Sequence, residues 1–510
     1  MSTDLKDKTA RGFMWGALNN GAMQVLNAVF GIVLARKLGQ ADYGLIGMLT
    51  IFTLIANSLQ DSGFVTALTN KRDATHSDYN AVFWFNITVS LCLYLLLFGC
   101  APLIARFFNE PILTDLSRYY FISFFIASFS IVPRAILFRQ IKQRELAIMA
   151  IISLLVSGTV GVVMAYNGMA YWGLATQTIT FNLIVSIISW MLSGWKPSLK
   201  LKNSRIEKLK HQMPEEKNFN PSILQSFNSF FAPIRQMFGF SSKMLLTSIF
   251  NQVNNNIFSL VLGKLYTKVE VGTYTQANKW NTMGANTITG MVQGVAQPAF
   301  VEVGDDLERL RRVFSKMLRF TCFVSFPLMF GLALVAPEFI VTLIKEKWLP
   351  SAHLMQILCI GGAFLPIATL YYNLIISRGK SDVYMWNIIA QGCAILGSIL
   401  MVYALGGGVT SMVIAYVLIV ILWTGIWHRF LYQEIRYPFL AALKDILPFL
   451  LIAAATMAIT WFATRWIENL LLLLIVRILL AALIYLGTLW LFGAKILREC
   501  IGYLHKRNKG

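Results

Sequence analysis

Long apolar stretches, separated by shorter polar connections, run through nearly the whole of this 510-residue chain. A membrane-spanning helix needs about 20 mostly apolar residues, so these stretches are long enough to cross a bilayer. The composition agrees, because 56% of the residues are hydrophobic and only 13% are charged. The sequence therefore predicts an all-α, polytopic membrane protein.

Fourteen candidate transmembrane spans can be placed on these stretches. Their approximate bounds are 12–35, 43–69, 81–101, 118–138, 147–166, 171–193, 238–262, 272–299, 317–337, 352–376, 382–405, 409–431, 446–464 and 469–493. A polar, basic linker with several prolines, residues 194–237, follows the sixth span. We predict two six-helix lobes, at 1–193 and 238–431, and a C-terminal helix pair with a basic tail at 432–510.

The formal net charge of +20 follows from where the basic residues lie. Lys and Arg are concentrated in the connections that share a side of the membrane with both termini, and the opposite connections carry few. Cytoplasmic loops of membrane proteins hold such an excess, so both termini are predicted to be cytoplasmic. Anionic lipid headgroups are the expected partners of this charge, and a nucleic acid is not.

The sequence predicts no metal site, no cofactor and no cleaved leader. The six cysteines and five histidines show no CxxC pair and no spacing typical of metal ligands. The first span follows Lys6, Lys8 and Arg11 and is too long for the apolar core of a signal peptide. We therefore expect a retained first helix.

A polar stripe marks one face of the eighth span. Its members step by three and four residues: Gln276, Lys279, Met283, Asn286, Gly290, Gln293 and Gln297. This spacing predicts one face of a helix. The expected opposite face carries Ala277, Met291, Val292 and Val295. Amides and a lysine are costly at bilayer depth and normally face a bundle interior or water, so we predict a polar cavity here.

An internal repeat relates the two lobes. The stretch QVLNAVFGIVL at 24–34 aligns without gaps with QVNNNIFSLVL at 252–262, an offset of 228 residues. The match continues into the following loops, where Asp42 corresponds to Glu270. Six spans, an even number, separate the copies, so the lobes are predicted to have the same orientation about an axis along the membrane normal.

The repeat predicts that the first lobe is polar where the second lobe is polar. Amides at helical spacing do occur in spans one and two, as they do in spans seven and eight. The predicted cavity lining is Asn20, Gln24, Asn27, Asn57, Gln60, Asn251, Asn255, Gln276, Lys279, Asn286 and Gln293. The alternative for these side chains is hydrogen bonding between helices in a dry bundle.

Three stretches resemble the multidrug/oligosaccharidyl-lipid/polysaccharide exporter superfamily: RGFMWGALNN at 11–20, VLARKLGQADYG at 33–44 and VLGKLYTKVEVG at 261–272. The chain is most similar to its bacterial polysaccharide flippases of the Wzx type. The resemblance implies two six-helix bundles with a central cavity and alternating access. It also implies an undecaprenyl-pyrophosphate-linked oligosaccharide as substrate, moved from the cytoplasmic to the periplasmic leaflet of the bacterial inner membrane for surface polysaccharide or lipopolysaccharide biosynthesis.

Such a substrate needs amides for its sugar hydroxyls and cations for its pyrophosphate. Lys279 is the predicted cation of the cavity, with snorkelling or an ion pair to Asp61 as the alternatives. Arg134 and Lys243 lie nearer the cytoplasmic ends of their spans and are candidates for the entrance. Arg477, in the last span, is a candidate contact for the headgroup or for a groove that holds the tail.

Two other functions are less well supported by the sequence. A cation-coupled multidrug extruder of the same fold is expected to place a carboxylate in the core of span one or seven, where this sequence has none. A polymerase or ligase needs a larger external loop and a catalytic constellation. We predict a monomeric transporter rather than an enzyme, with membrane lipids and a polysaccharide polymerase as partners. The sugar, and coupling to a proton or sodium gradient, stay open.

Overall fold

A computed structural model describes residues 21–61, 75–140, 142–198, 248–254, 256–304 and 306–491. All regular elements within these ranges are helices, which confirms the prediction of an all-α chain. The chain divides into two compact units, residues 1–256 with 263–265 and residues 257–262 with 266–510. The predicted lobe boundaries stay predictions, because most of the predicted linker lies outside the described residues.

The described helices of the first unit are α1 (21–37), α2 (Gln40–Asp61), α3 (His76–Phe108), α4 (Leu113–Tyr120), α5 (Ile122–Arg139), α6 (Gln143–Tyr166) and α7 (Ala170–Ser193). Helix α7 packs against both α5 and α6, and α3 packs against α5. Helices α4 and α5 together make one apolar span, 113–139. The next helix, α8, is described at 248–254 and 256–265 and has residues in both units.

The second unit continues with α9 (Lys268–Val303), α10 (Leu307–Leu334), α11 (Ala336–Ile344), a 3₁₀ turn (Glu346–Trp348), α12 (Leu349–Gly362), α13 (Leu365–Ser377), α14 (Ser381–Ala404), α15 (Val409–Ile435), α16 (Phe439–Thr464) and α17 (Leu470–Leu491). Helix α9 packs against α10, α12 and α13, and α16 packs against α10 and α17. The core of this unit therefore forms around α9, α10, α12 and α13.

Eleven helical segments of the described chain are long and apolar enough to span a membrane, which confirms a multi-pass membrane protein. They coincide with eleven of the fourteen predicted spans. The other predicted spans are the first, seventh and eighth. The first and seventh spans are described only in part. The eighth span corresponds to α9, a continuous helix of 36 residues whose amides lower its hydropathy. The count of fourteen stays a prediction.

The loops that follow the two copies of the repeat have the same hydrogen bonds. The Asp42 carboxylate accepts from the Gly39 N–H at 2.8 Å, and the Glu270 carboxylate accepts from the Thr267 N–H at 2.9 Å. The preceding helix ends match as well, with bonds from Leu38 N–H to Leu34 O and from Tyr266 N–H to Leu262 O, both 2.8 Å. A carboxylate that caps a helix start in this way fixes the entry of α2 and of α9. The local structure thus supports the alignment of the repeat.

Pro366 divides the tenth span into two helices. Pro has no N–H and its ring clashes with the preceding turn, so α12 ends at Gly362 and α13 starts with Pro366 in its first turn. The Ser325 hydroxyl donates to the Ala363 carbonyl at 2.7 Å, so this break does not leave that carbonyl unpaired. A side chain at residue 362 would clash with Asn281, so glycine permits the close approach of α9.

Asp445 ties α10 to α16 near the end of the unit that is predicted to be cytoplasmic. Its carboxylate accepts from the hydroxyls of Ser315 and Tyr437, both at 2.5 Å, and lies 3.5 Å from the Arg319 guanidinium. Burial, together with the bond to this carboxylate, raises the pKa of Tyr437 to about 12. The hydroxyl of Tyr437 therefore stays a donor at every physiological pH.

Candidate substrate-binding site

Helix α9 has one continuous face that packs inside the second unit. The buried residues recur every three or four positions: Val271, Tyr274, Ala277, Asn281, Ala285, Ile288, Val292, Ala296 and Phe300. They bury α9 against α10, α12 and α13. Close packing of these side chains holds α9 in one orientation and decides which of its polar residues stay outside the core.

The predicted polar stripe is exposed over the second half of α9. Asn286, Gly290 and Gln293 are exposed, and Met283 is half-buried. Val292, which was expected on the opposite face, is 7% exposed. This part of the helix therefore presents amides on the side that its own unit leaves uncovered.

The first half of α9 differs from the prediction. Gln276 is fully buried, and its amide has no hydrogen-bond partner among the described residues. Conversely, Met291 and Val295 are 57% and 58% exposed, although they were assigned to the packed face. The reason is that neighbours enclose the first half of α9 on most sides but cover the second half on one side. Helical spacing alone does not reveal that change along the helix.

Lys279 lies where the enclosed half of α9 meets the open half. The side chain is half-buried, and its Nζ lies 5.9 Å from the ring centroid of Trp280. Within the described ranges it has no hydrogen bond or ion pair. The carboxylate of Asp61, the alternative partner, lies outside the described side chains. A lysine at the centre of a spanning helix costs about 2.5–3.5 kcal/mol, and the weak contact with Trp280 offsets little of that.

Tyr372 on α13 belongs to the site, although the sequence did not indicate it. The amide of Gln293 donates to the Tyr372 hydroxyl at 3.3 Å, and this hydroxyl donates to Thr369 Oγ1 at 3.1 Å. The Tyr372 ring lies 5.2 Å from the ring of Tyr384 and 6.1 Å from that of Trp427. A single hydroxyl within an apolar run has no periodic signal. The structure thus adds a second helix and an aromatic cluster beside the amides of α9.

The cavity residues predicted on the other helices have different outcomes. Gln24, Asn57 and Asn251 are half-buried and Asn27 is exposed, so none of these four amides is fully buried. The remaining predicted residues have side chains outside the described set: Asn20, Gln60, Lys243, Asn255 and Gln297. Their role in a cavity stays a prediction.

The two arginines predicted to meet a pyrophosphate lie in unlike environments. Arg134 is exposed near the end of α5. Arg477 is 6% exposed and binds Glu338 at 2.6 Å, the Thr464 hydroxyl at 3.1 Å and the Leu334 carbonyl at 3.3 Å. These bonds tie α17 to α10, α11 and α16. The predicted headgroup contact is therefore not favoured for Arg477, because its charge is already compensated.

Arg477 does border an apolar groove of about 540 Å³ within the second unit. Most of the wall comes from α10 and α17, with Phe323, Pro327, Ile478 and Tyr485 among the lining residues. Polar atoms contribute little of the lining. A groove of this composition suits a hydrocarbon chain, and it lies in the same unit as Lys279.

Two solved structures share this fold. The lipid II flippase MurJ in an inward closed conformation matches with a TM-score of 0.69 at 14% identity, over 96% of this chain and 100% of that chain. An inward-facing multidrug resistance MATE family transporter of the MOP superfamily matches with a TM-score of 0.59 at 14% identity, over 81% and 94%. At such identity the likeness shows the fold alone, so the class that the fold defines is a multi-pass helical membrane protein.

The chain belongs to the polysaccharide biosynthesis protein family, whose pattern it matches over residues 33–212 and 224–353. Lipopolysaccharide biosynthesis protein WzxC of Escherichia coli is 23% identical over 75% of this chain and 73% of its own. Teichuronic acid biosynthesis protein TuaB of Bacillus subtilis is 24% identical over 74% and 73%. Succinoglycan biosynthesis transport protein ExoT of Rhizobium meliloti is 22% identical over 78% and 75%.

The exposed stripe of α9 can be tested by chemical labelling in intact membranes. A cysteine at Asn286 is expected to react with a membrane-impermeant thiol reagent, because that side chain lies on the uncovered polar face. A cysteine at Val292 is expected to stay unlabelled, because that position is packed. Both are placed in a background without the native cysteines. Equal protection of the two positions would contradict a hydrated face.

The buried ion pair gives a second test. Glu338→Ala leaves the Arg477 charge uncompensated, which is expected to destabilise the protein by about 3–5 kcal/mol. The double variant Glu338→Leu with Arg477→Met removes both charges and is expected to recover most of that loss. The measurement is the thermal unfolding temperature of the purified protein in detergent. A double variant as unstable as Glu338→Ala would show that the pairing does not explain the effect.

Proposed function

We propose that this protein translocates undecaprenyl-pyrophosphate-linked oligosaccharide repeat units from the cytoplasmic to the periplasmic leaflet of a bacterial inner membrane. The transported units would supply surface polysaccharide, exopolysaccharide or lipopolysaccharide. The observation that carries the proposal is the charge of Lys279, half-buried on α9 with no counter-ion among the described side chains. A cation held in this way has most to gain from an anionic ligand.

The second unit offers a chemical partner for each part of the substrate. The amides of Asn286 and Gln293 and the hydroxyl of Tyr372 both donate and accept, as sugar hydroxyls require. Lys279 supplies a positive charge for the pyrophosphate. The apolar groove bordered by Arg477 suits the polyprenyl chain. These features support a single ligand with a polar part, an anionic part and an apolar part.

The family and the curated relatives support the same substrate class, because their names concern the biosynthesis or transport of polysaccharides. We propose alternating access as the mechanism, with both termini cytoplasmic and the chain acting as a monomer. A proton or sodium gradient is the proposed energy source, and no bound cofactor is required. A polysaccharide polymerase is the proposed consumer of the translocated units.

A cation-coupled multidrug extruder is the second candidate, since the MATE transporter shares this fold. The described part of the site disfavours it on electrostatic grounds. Lys279 repels a cationic drug, and the polar stripe on the uncovered face of α9 carries no carboxylate. The two functions differ in the sign of the ligand's charge, which an export assay and a drug-resistance assay can separate.

Lys279→Ala is expected to lower export of surface polysaccharide at least about tenfold, since a hydrogen bond to a charged group contributes roughly 1.5–3 kcal/mol. Lys279→Arg is expected to keep part of the activity because it keeps the charge. The measurement is surface polysaccharide in cells that lack their own copy of this protein, with the amount of variant in the membrane quantified in parallel.

Lys268→Ala, in the first turn of the same helix, is the matched control and is expected to export normally. Normal export by Lys279→Ala at an unchanged membrane level would remove Lys279 from the substrate site. Drug sensitivity that rises in the Lys279→Ala cells while polysaccharide export persists would favour the extruder.

A further inference from the structure

The ends of three helices in the first unit enclose a pocket of about 560 Å³ that the proposed function does not use. It lies where α3 begins and where α5 and α7 end. Its polar and aromatic lining includes His76, Tyr79, Arg139, Gln140, Ser193 and Trp195. The volume lies within the range of about 300–1,000 Å³ that is typical of small-ligand sites.

Hydrogen bonds hold the walls of this pocket in place. Arg139 donates from Nη1 to the Tyr79 hydroxyl at 3.0 Å, which links the end of α5 to the first turn of α3. His76 Nε2 lies 3.1 Å from the Lys196 carbonyl oxygen, which links α3 to the segment after α7. The pocket is therefore built from preformed contacts among three helices.

The aromatic side chains beside the pocket are typical of the level of the lipid headgroups. Phe83 is buried and meets the rings of Trp84, Trp190 and Trp195 edge to face, with centroids 5.3–5.6 Å apart. Trp residues favour the membrane–water interface, where one part of the ring is apolar and the other wet. Trp195 belongs both to this cluster and to the pocket wall.

The charge around the pocket is positive. Arg139, Lys142, Arg144 and Lys196 all lie at this end of the first unit. The acidic side chain in the same turn of α3, Asp78, is 4% exposed and accepts from the Thr75 N–H and hydroxyl at 2.9 and 3.0 Å. An excess of basic residues marks the cytoplasmic side of a membrane protein. The lipids of that leaflet carry anionic headgroups.

We propose that this pocket binds the phosphate headgroup of an anionic phospholipid from the cytoplasmic leaflet. The planar guanidinium of Arg139 suits two phosphate oxygens, and His76 and Ser193 add polar contacts. The cluster with Trp195 contacts the glycerol and the first carbons of the acyl chains. This site lies in the first unit and is separate from Lys279, so it does not depend on the proposed transport function.

The test measures lipid binding by the full-length protein, purified in a non-ionic detergent. Phosphatidylglycerol is titrated against the thermal unfolding temperature, with phosphatidylcholine and glycerol 1-phosphate as parallel titrations. Of these three compounds, we expect only phosphatidylglycerol to raise the unfolding temperature. Arg139→Gln is expected to weaken its apparent affinity by at least about tenfold, as the loss of a charged hydrogen bond predicts.

A second variant and a control keep the test decisive. Gln140→Glu adds a negative charge, which repels the phosphate, at an exposed residue of the pocket wall where folding tolerates it. This variant is expected to weaken binding as well. Arg144→Gln removes the same charge as Arg139→Gln at the same membrane face, outside the pocket lining, and is expected to bind normally.

Three results would overturn the proposal. Equal stabilisation by phosphatidylcholine would show general solvation by lipid. Equal loss in Arg144→Gln would show surface electrostatics without a defined site. Full stabilisation by glycerol 1-phosphate would show a site for free phosphates rather than for a lipid.

Discussion

A charge inside a membrane protein is costly unless an opposite charge or a ligand compensates it. Two basic residues of the second unit differ in how this is done. Arg477 is buried against Glu338 and two further acceptors, so its positive charge is compensated within the chain. Lys279 has an aromatic neighbour and amides nearby, but no anion among the described side chains. The contrast assigns a structural role to Arg477 and supports the proposal that Lys279 binds an anionic ligand.

The architecture around Lys279 follows from the need to bury α9 without burying its amides. The close approach at Gly362 and the break before Pro366 let α12 and α13 pack on one side of α9. The carboxylate cap from Glu270 fixes where the helix starts. Together they direct Asn286 and Gln293 away from the core, and Gln293 bonds to Tyr372. The packing of α9 thus determines which polar side chains are available to the proposed site.

The sequence was informative wherever a local rule governs the structure. The hydropathy of the spans predicted a membrane protein. The match of Asp42 to Glu270 identified two corresponding loops, and in the structure these loops have the same hydrogen bonds. It was less informative where tertiary packing decides. The burial of Gln276 depends on which neighbours surround that turn of α9, and the contribution of Tyr372 depends on a helix 79 residues away. No local pattern contains either fact.

The most direct measurement of the central claim places a cysteine at Asn286, on the same face of α9 as Lys279, and keeps Lys279 in place to bind the substrate. The protein, in native membranes, is treated with a hydrophilic thiol reagent with and without a polyprenyl-pyrophosphate-linked oligosaccharide. The account predicts labelling that the lipid-linked sugar suppresses and that a neutral polyprenol leaves unchanged. A cysteine at position 286 that stays unlabelled, or that is labelled equally with and without the substrate, would contradict it.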